Sequence, residues 1–434
     1  MFGHLAPAEA QERALGIYQA ALGAPFYAAK YAGCAAPTDP VTWRRLPLLT
    51  HQELYDNTYP RSTRMLTQPV AGMLVLSTGG TSGVARYTVM THAEWDRFVA
   101  AQAEAMRLLG IVPADRIANL FVAGHLWPSF LGLHDVVKHL DAVHLPISAN
   151  IPPEEFARLC AEFDPTVMVS LPTAFIFLAD LSRKAGYRFP SLRLIGYVGE
   201  QMSEEAQRHV RGVLGDVQIK PLAYSSADAG LMGYQCPRAG FGTYHLPTDF
   251  QYVEILDPET HEPTPAGQTG EVVVTNLARR SMPIVRYQMG DLAAWLDGAC
   301  PCGDPNPLFR LAGRAGDDFK VGGGFISMQV FDQALAAAGP AVSLNYVVEL
   351  QDFDNQMEIR LRVEAPEPEQ ARPLAAQIRA AVCQRAPLIA EGLEKRYIRD
   401  FPIEFVPLGA LPRSPITGKV KRLDDKRIRV MSNE

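Results

Sequence analysis

Residues 164–198 read DPTVMVSLPTAFIFLADLSRKAGYRFPSLRLIGYV. Two short apolar runs, 166–171 and 192–198, bracket a segment whose length and composition suit a helix over 172–184. Two buried strands joined by a helix make a βαβ unit, and such units lie in parallel sheets covered on both faces. The same alternation extends over residues 117–221. IANLFV (117–122) and AVHLPI (142–147) read as further strands, and helices are expected near 129–140, 152–163 and 203–214. The expected fold class is therefore α/β, built of layered sheets.

The pattern changes after Phe241. FQYVEIL (250–256), the turn-rich DPETHEPTPAGQTG (257–270) and EVVVTNL (271–277) predict an antiparallel or barrel-like subdomain. Upstream, residues 1–70 form a helical and then irregular lead-in, with Thr50 suited to cap a short helix. MLVLS (73–77) is a strand that enters TGGTSG (78–83), and a helix is expected from Thr91 to Leu109. Beyond Gly324 the order is helix (328–338), strand (343–350), the turn DFDN, strand (357–363), helix (368–385) and strand (402–407). That is an α+β unit large enough to fold alone. The expected organisation is a large domain, 1–315, and a small mobile lid, 316–434.

The chain has 434 residues, 47% hydrophobic and 20% charged, with a net charge of −6. That balance argues against general affinity for nucleic acid, and no apolar run reaches the roughly 18 residues a bilayer span requires. The start, MFGHLAPAEAQERALG, has no basic region ahead of an apolar block, so a cytoplasmic location is expected.

Six segments have the composition of a chemical site: TGGTSG (78–83), VGEQMSEEAQR (198–208), AYSSADAG (223–230), RYQMGDL (286–292), GRAGDDFKVGGG (313–324) and LPRSPITGKVKR (411–422). The first is a glycine- and hydroxyl-rich loop after a strand, suited to wrapping a phosphate with backbone N–H groups. It lacks the Lys-Ser/Thr ending of a P-loop, which disfavours that class of NTPase.

In this order and at these separations, the six segments resemble those of the adenylate-forming enzymes, and most closely the phenylacetate-CoA ligase branch. The resemblance spans nearly the whole chain. It implies ATP- and Mg²⁺-dependent joining of a carboxylate to AMP, followed by transfer to the thiol of CoA. The loop Thr78, Gly79, Gly80, Thr81, Ser82 and Gly83 would then hold the distal phosphates. Gly199 and Glu200 would line the adenine pocket with Tyr224 and Ser225. Asp228 would help hold Mg²⁺, Asp291 would accept from the ribose hydroxyls, and Arg314 would approach ribose or phosphate. Lys419 would place a positive charge on the α-phosphate. By position, His125, Trp127, Tyr197, Ala229 and Gly230 would line a pocket for an aryl acid. The glycines at 316 and 322–324 would let the lid rotate between the two half-reactions.

Four positions depart from the family pattern. Val84 and Ala85 replace a Lys-Pro pair, with Arg86 a candidate substitute for the lost charge, and Ala227-Asp228 replaces Ser/Thr-Glu, which shortens the carboxylate arm. These departures leave open a degenerate member that binds nucleotide without turnover. Loading of an acyl carrier protein or an amine, in place of CoA, also stays open, as does a homodimer.

Cys236, His245, Cys300 and Cys302 form C-x8-H…C-x-C within the turn-rich region. Two kinds of soft ligand in a set of four match a structural Zn²⁺ site.

Overall fold

A computed structural model describes residues 2–78, 86–314, 318–321, 324–353, 356–413 and 419–427. The chain divides into two compact units: Met1–Asn150, Val167–Val169 and Lys220–Ala315 form the first, and Ile151–Thr166, Ser170–Ile219 and Gly316–Glu434 the second.

In the first unit, Met73–Thr78 and Arg86–Thr91 form an antiparallel hairpin that pairs Thr78 with Arg86. Thr91 ends the hairpin and starts the next helix, His92–Leu108. Its hydroxyl accepts from Glu94 N–H while the Glu94 carboxylate accepts from Thr91 N–H, a reciprocal cap. Arg116–Asn119 lies parallel to both Val143–Leu145 and the strand that begins at Val167, with helix Pro128–Leu140 as the crossover. The predicted parallel βαβ texture is present.

The turn-rich region is a five-stranded antiparallel sheet in the order Thr243–His245, Leu308–Arg314, Tyr287–Trp295, Gly270–Asn276, Gln251–Leu256. The lead-in packs on it. Tyr27, Trp43 and Leu49 are fully buried in one core with Tyr287, Val274 and Ile284. Leu49 is bonded like a strand residue: its N–H donates to Arg286 O at 2.8 Å and its carbonyl accepts from Gln288 N–H at 3.0 Å.

Arg286 fastens this join. Its side chain is 1% exposed, its Nε donates to Glu254 Oε2 at 3.0 Å and Nη2 to Oε1 at 3.1 Å, and Nη1 donates to the carbonyls of Arg44 and Leu46. A buried charge left alone costs more than its pair contributes. Arg286→Met is therefore expected to destabilise the first unit by about 3–5 kcal/mol, read as a lowered urea midpoint. Adding Glu254→Gln should recover part of that loss.

The second unit contains helices Pro153–Phe163, Pro172–Ala185 and Glu204–Leu214 and strand Leu194–Tyr197. His209 Nε2 lies 2.7 Å from the fully buried Asp180 Oδ1, pinning two of these helices. Its other part is a mixed sheet. Tyr346–Phe353 pairs antiparallel with Gln356–Ala365 and parallel with Leu423–Asp425, and Ile398–Asp400 and Ile403–Pro407 run parallel to Gln356–Ala365.

Two expectations change here. The helix expected over 368–385 is three pieces, Pro368–Ala371, a 3₁₀ turn Arg372–Leu374 and Ala375–Arg385. Pro373 supplies no N–H to a continuous helix, so the chain tightens and restarts. The strand expected from 343 begins at Tyr346, because the Ser343 hydroxyl turns the chain by accepting from Asn345 N–H at 3.0 Å.

Candidate active site

The first unit gathers two carboxylate–arginine pairs. Asp228 sits in the turn between Tyr224–Ser226 and Gly230–Gly233, 2% exposed, with Oδ2 3.5 Å from Arg86 Nη2. The turn is fixed from several sides. Arg279, itself buried, donates to the Asp228 carbonyl at 2.8 Å, to Thr88 Oγ1 and to the Val89 carbonyl, while Asn276 and Gln251 amides both donate to Ala229 O at 2.6 Å. Gly230 has φ +83° and a Cβ there would lie 2.8 Å from Asn276 Nδ2, so only glycine closes this turn without strain. Burial pushes the Asp228 carboxyl above its ordinary range against the pull of Arg86 and Arg279.

Asp228 Oδ1 has no hydrogen-bond partner among the described residues, although it is buried. A buried, orphaned carboxylate oxygen fits a hard cation such as Mg²⁺, which takes oxygen ligands.

The second pair lies where two strands meet. Asp291 is paired in register with Arg314, whose Nε is 3.0 Å from Oδ1, and the Tyr224 hydroxyl donates to Oδ2 at 2.6 Å. Burial, and then the Asp291 charge, hold the Tyr224 hydroxyl well above its usual range, so it remains a donor. Ser225 is half-buried beside it in the short strand. Burial, and then the Asp228 charge, hold the Tyr287 hydroxyl above its usual range, and Arg86, Arg314 and Asp291 also act on it.

Thr78, the last described residue before the glycine loop, is buried with no partner for Oγ1 among the described residues. Gly79, Gly80, Thr81, Ser82, Gly83 and the departures at 84 and 85 lie outside the described residues, as do residues 315–317 and glycines 322 and 323. On the same unit, Gly124, His125 and Leu126 all have positive φ, at +105°, +52° and +61°. The Leu126 carbonyl accepts from Ser77 N–H at 2.8 Å, which ties this turn to the hairpin strand, and the His125 and Trp127 rings lie 5.3 Å apart.

In the second unit, Gly199 (φ +86°) follows the buried Tyr197, and Lys419 Nζ donates to the Gly199 carbonyl. A Cβ at 199 would lie 3.1 Å from that ammonium, so glycine leaves room for the lysine. Glu200 Oε1 is buried with no partner among the described residues. Ahead of Lys419 in the chain, the buried Glu364 accepts from Leu411 N–H and Arg413 Nη2, each at 3.3 Å.

Cys236, His245, Cys300 and Cys302 converge, with their ligand atoms within 4.8 Å of one another. Tetrahedral zinc bonds of about 2.3 Å to sulfur and about 2.05 Å to nitrogen require S···S edges of about 3.8 Å and S···N edges of about 3.6 Å. The Cys236 and Cys300 sulfurs are 3.6 Å apart, and Cys302 Sγ is 3.5 Å from His245 Nε2. The remaining imidazole nitrogen, Nδ1, lies 3.2 Å from the Asn306 carbonyl, which fixes Nε2 as the ligand-facing atom. Asp304 N–H donates to Cys302 Sγ at 3.4 Å. The donor set and its spacing fit the ion.

Sequence reasoning missed Arg279, Tyr287, Thr88 and His51. Tyr287 lies within a quoted motif, but Arg279, Thr88 and His51 sit in stretches whose composition carries no chemical signal.

The AMP-binding enzyme family matches residues 73–278. The phenylacetate-coenzyme A ligase of Thermus thermophilus is 27% identical over 364 residues, covering 81% of this chain and 80% of that protein. The Escherichia coli K12 enzyme of the same name is 24% identical over 391 residues, 88% and 85% of the two chains. A crystal structure of 2-hydroxyisobutyryl-CoA ligase, in the postadenylation state with R3-HIB-AMP, superposes with a TM-score of 0.79 at 21% identity, covering 98% and 90%. Over most of its length the chain is thus similar to phenylacetate-CoA ligases, and residues 73–278 match the AMP-binding enzyme family.

Proposed function

We propose that this protein is an ATP- and Mg²⁺-dependent aryl-acid CoA ligase that works through an acyl-adenylate. The observation that carries the reading is the pair of fixed carboxylates, Asp228 with an orphaned oxygen and Asp291 aligned by Tyr224 and Arg314. A carboxylate is a poor electrophile, and joining it to the α-phosphate of ATP with loss of pyrophosphate makes it transferable. In this reading Asp291 accepts from both ribose hydroxyls while Tyr224 lies against the adenine with Gly199 and Glu200. Asp228 supports Mg²⁺, which neutralises phosphate charge. Arg86, at the foot of the hairpin, stands in for the missing loop lysine, and Thr78 to Gly83 cradle the distal phosphates.

Lys419 carries the charge that meets the α-phosphate and the attacking carboxylate oxygen, where negative charge gathers in the transition state. Residues 316–434 act as a lid that rotates between the two half-reactions and offers its glycine segment to the incoming thiol. The acyl pocket is assigned to His125, Trp127, Tyr197, Ala229 and Gly230. A structural zinc at Cys236, His245, Cys300 and Cys302 fixes the end of the antiparallel sheet; four protein ligands leave no open position for substrate.

The test is pyrophosphate release from ATP and Mg²⁺ across a panel of aryl and short alkyl acids, with and without CoA. Release with aryl acids, and a thioester only when CoA is present, is the expected result. Release with no CoA product would move the acceptor to a carrier protein or an amine, and silence across the panel would count against catalysis.

A further inference from the structure

The lead-in places one residue at the site that no motif announced. Leu49 is hydrogen-bonded along the start of the strand that carries Asp291, and this registers His51, two residues on, against its upper end. The imidazole lies over Tyr287 with ring centroids 5.1 Å apart, and its Cε1 is within 3.7 Å of where a Gly290 Cβ would stand. Arg314 Nη2, from the neighbouring strand, lies 4.0 Å from that same Gly290 position, and the charges of Arg86, from the hairpin, and of Arg314 both reach the imidazole. Of the other charged groups packed around it, Asp228 is paired with Arg86 and Asp291 with Arg314. On its own helix, Glu53 accepts from Lys30 and Thr50, and Asp56 accepts from Gln52.

Three nitrogen-bearing side chains from three separate elements thus share one charge environment beside Gly290. Both arginines are held by carboxylates which, on the reading above, turn to a cation and to ribose when nucleotide binds. The arginines are then free to face an anion. We propose that His51 is a polyphosphate-binding residue: with Arg86 and Arg314 it receives the β- and γ-phosphates of the nucleotide and holds pyrophosphate as it leaves.

The electrostatics agree with that role. Burial and the two guanidiniums push the His51 imidazole down to about 4, so the free enzyme carries it neutral at pH 7. A polyphosphate beside it reverses the sign of the local field and favours the imidazolium. The bound value then exceeds the free one, so protons are taken up on binding and affinity rises as pH falls from 7 toward 5.

The inference rests on the nucleotide-site reading, and AMP separates the two. Calorimetry with Mg²⁺ and a non-hydrolysable ATP analogue, and separately with AMP, is run on the wild type, His51→Gln and His51→Ala. The analogue is expected to bind His51→Ala roughly tenfold more weakly, the loss of one charge-assisted hydrogen bond, with AMP binding unchanged. His51→Gln keeps a donor and recovers part of the affinity, but loses the proton uptake seen in buffers of different ionisation enthalpy. Equal binding of the analogue by all three proteins, or equal weakening of AMP and analogue, overturns the role of His51 alone. A wild type that binds neither nucleotide overturns the site reading and this inference with it.

Discussion

Lys419→Ala is expected to lower adenylate formation by about two to three orders of magnitude, the scale on which one preorganised electrostatic group is felt in the transition state. Thioester formation from a supplied acyl-adenylate should stay close to wild type. The contrast follows from what Lys419 is: a point charge between the Glu364 anchor and strand Leu423–Asp425, with its ammonium on the Gly199 carbonyl. Nothing in thiol attack on a preformed adenylate needs that charge at the α-phosphate, since the leaving AMP is already built. Single-turnover assays of the two halves check this. Equal loss in both would remove the two-pose account of the lid and leave Lys419 a structural residue. Glu364→Gln, which weakens the anchor and keeps the lysine, should give a smaller loss confined to the first half.

The second large effect concerns the cysteine cluster. Wild-type protein is expected to contain about one zinc per chain, and Cys300→Ser to lose most of it. The cluster joins Cys236 and the Thr243–His245 strand to the connection between Tyr287–Trp295 and Leu308–Arg314, the two strands that pair Asp291 with Arg314. Metal loss should therefore lower thermal stability and weaken nucleotide binding together. Binding free energy in a structural site is folding free energy, which for zinc can reach about 10 kcal/mol in small domains. Here the sheet keeps its own core, so partial rather than complete unfolding is the expected result. Without metal, burial pushes the Cys236 thiol up to about 12, and a buried neutral thiol gives little cohesion. Elemental analysis followed by a melt with and without chelator makes the measurement. A metal-free protein of full stability would end the zinc assignment.

Much of the fold was legible in one dimension because its signals are local. Apolar runs of strand length separated by helical segments specify parallel βαβ units wherever they occur, and residues 117–221 supply them. Helix starts at Thr91 and Ser203 follow from side-chain oxygens that cap the N–H groups of the next turn. The convergence of Cys236, His245, Cys300 and Cys302 was readable too, since ligand type and close spacing limit what four such residues do. Asp228, Asp291 and Lys419 each lie inside a motif whose order along the chain resembles that of a family, and their roles are those proposed above.

What the tertiary structure alone decided is which distant residues share a charge environment. Arg279 reaches Asp228 because a fully buried guanidinium must find acceptors, and the turn backbone and the hairpin at Thr88 and Val89 offer them. Tyr287 came under the charges of both ion pairs, and His51 became their neighbour, only through the single strand-like join at Leu49. The break at Pro373 and the late start of the strand at Tyr346 belong to the same class, where one missing N–H or one serine hydroxyl overrides a local pattern. Periodicity records which face of an element is buried. It carries no record of what that face meets, and the chemistry of this site lies in those meetings.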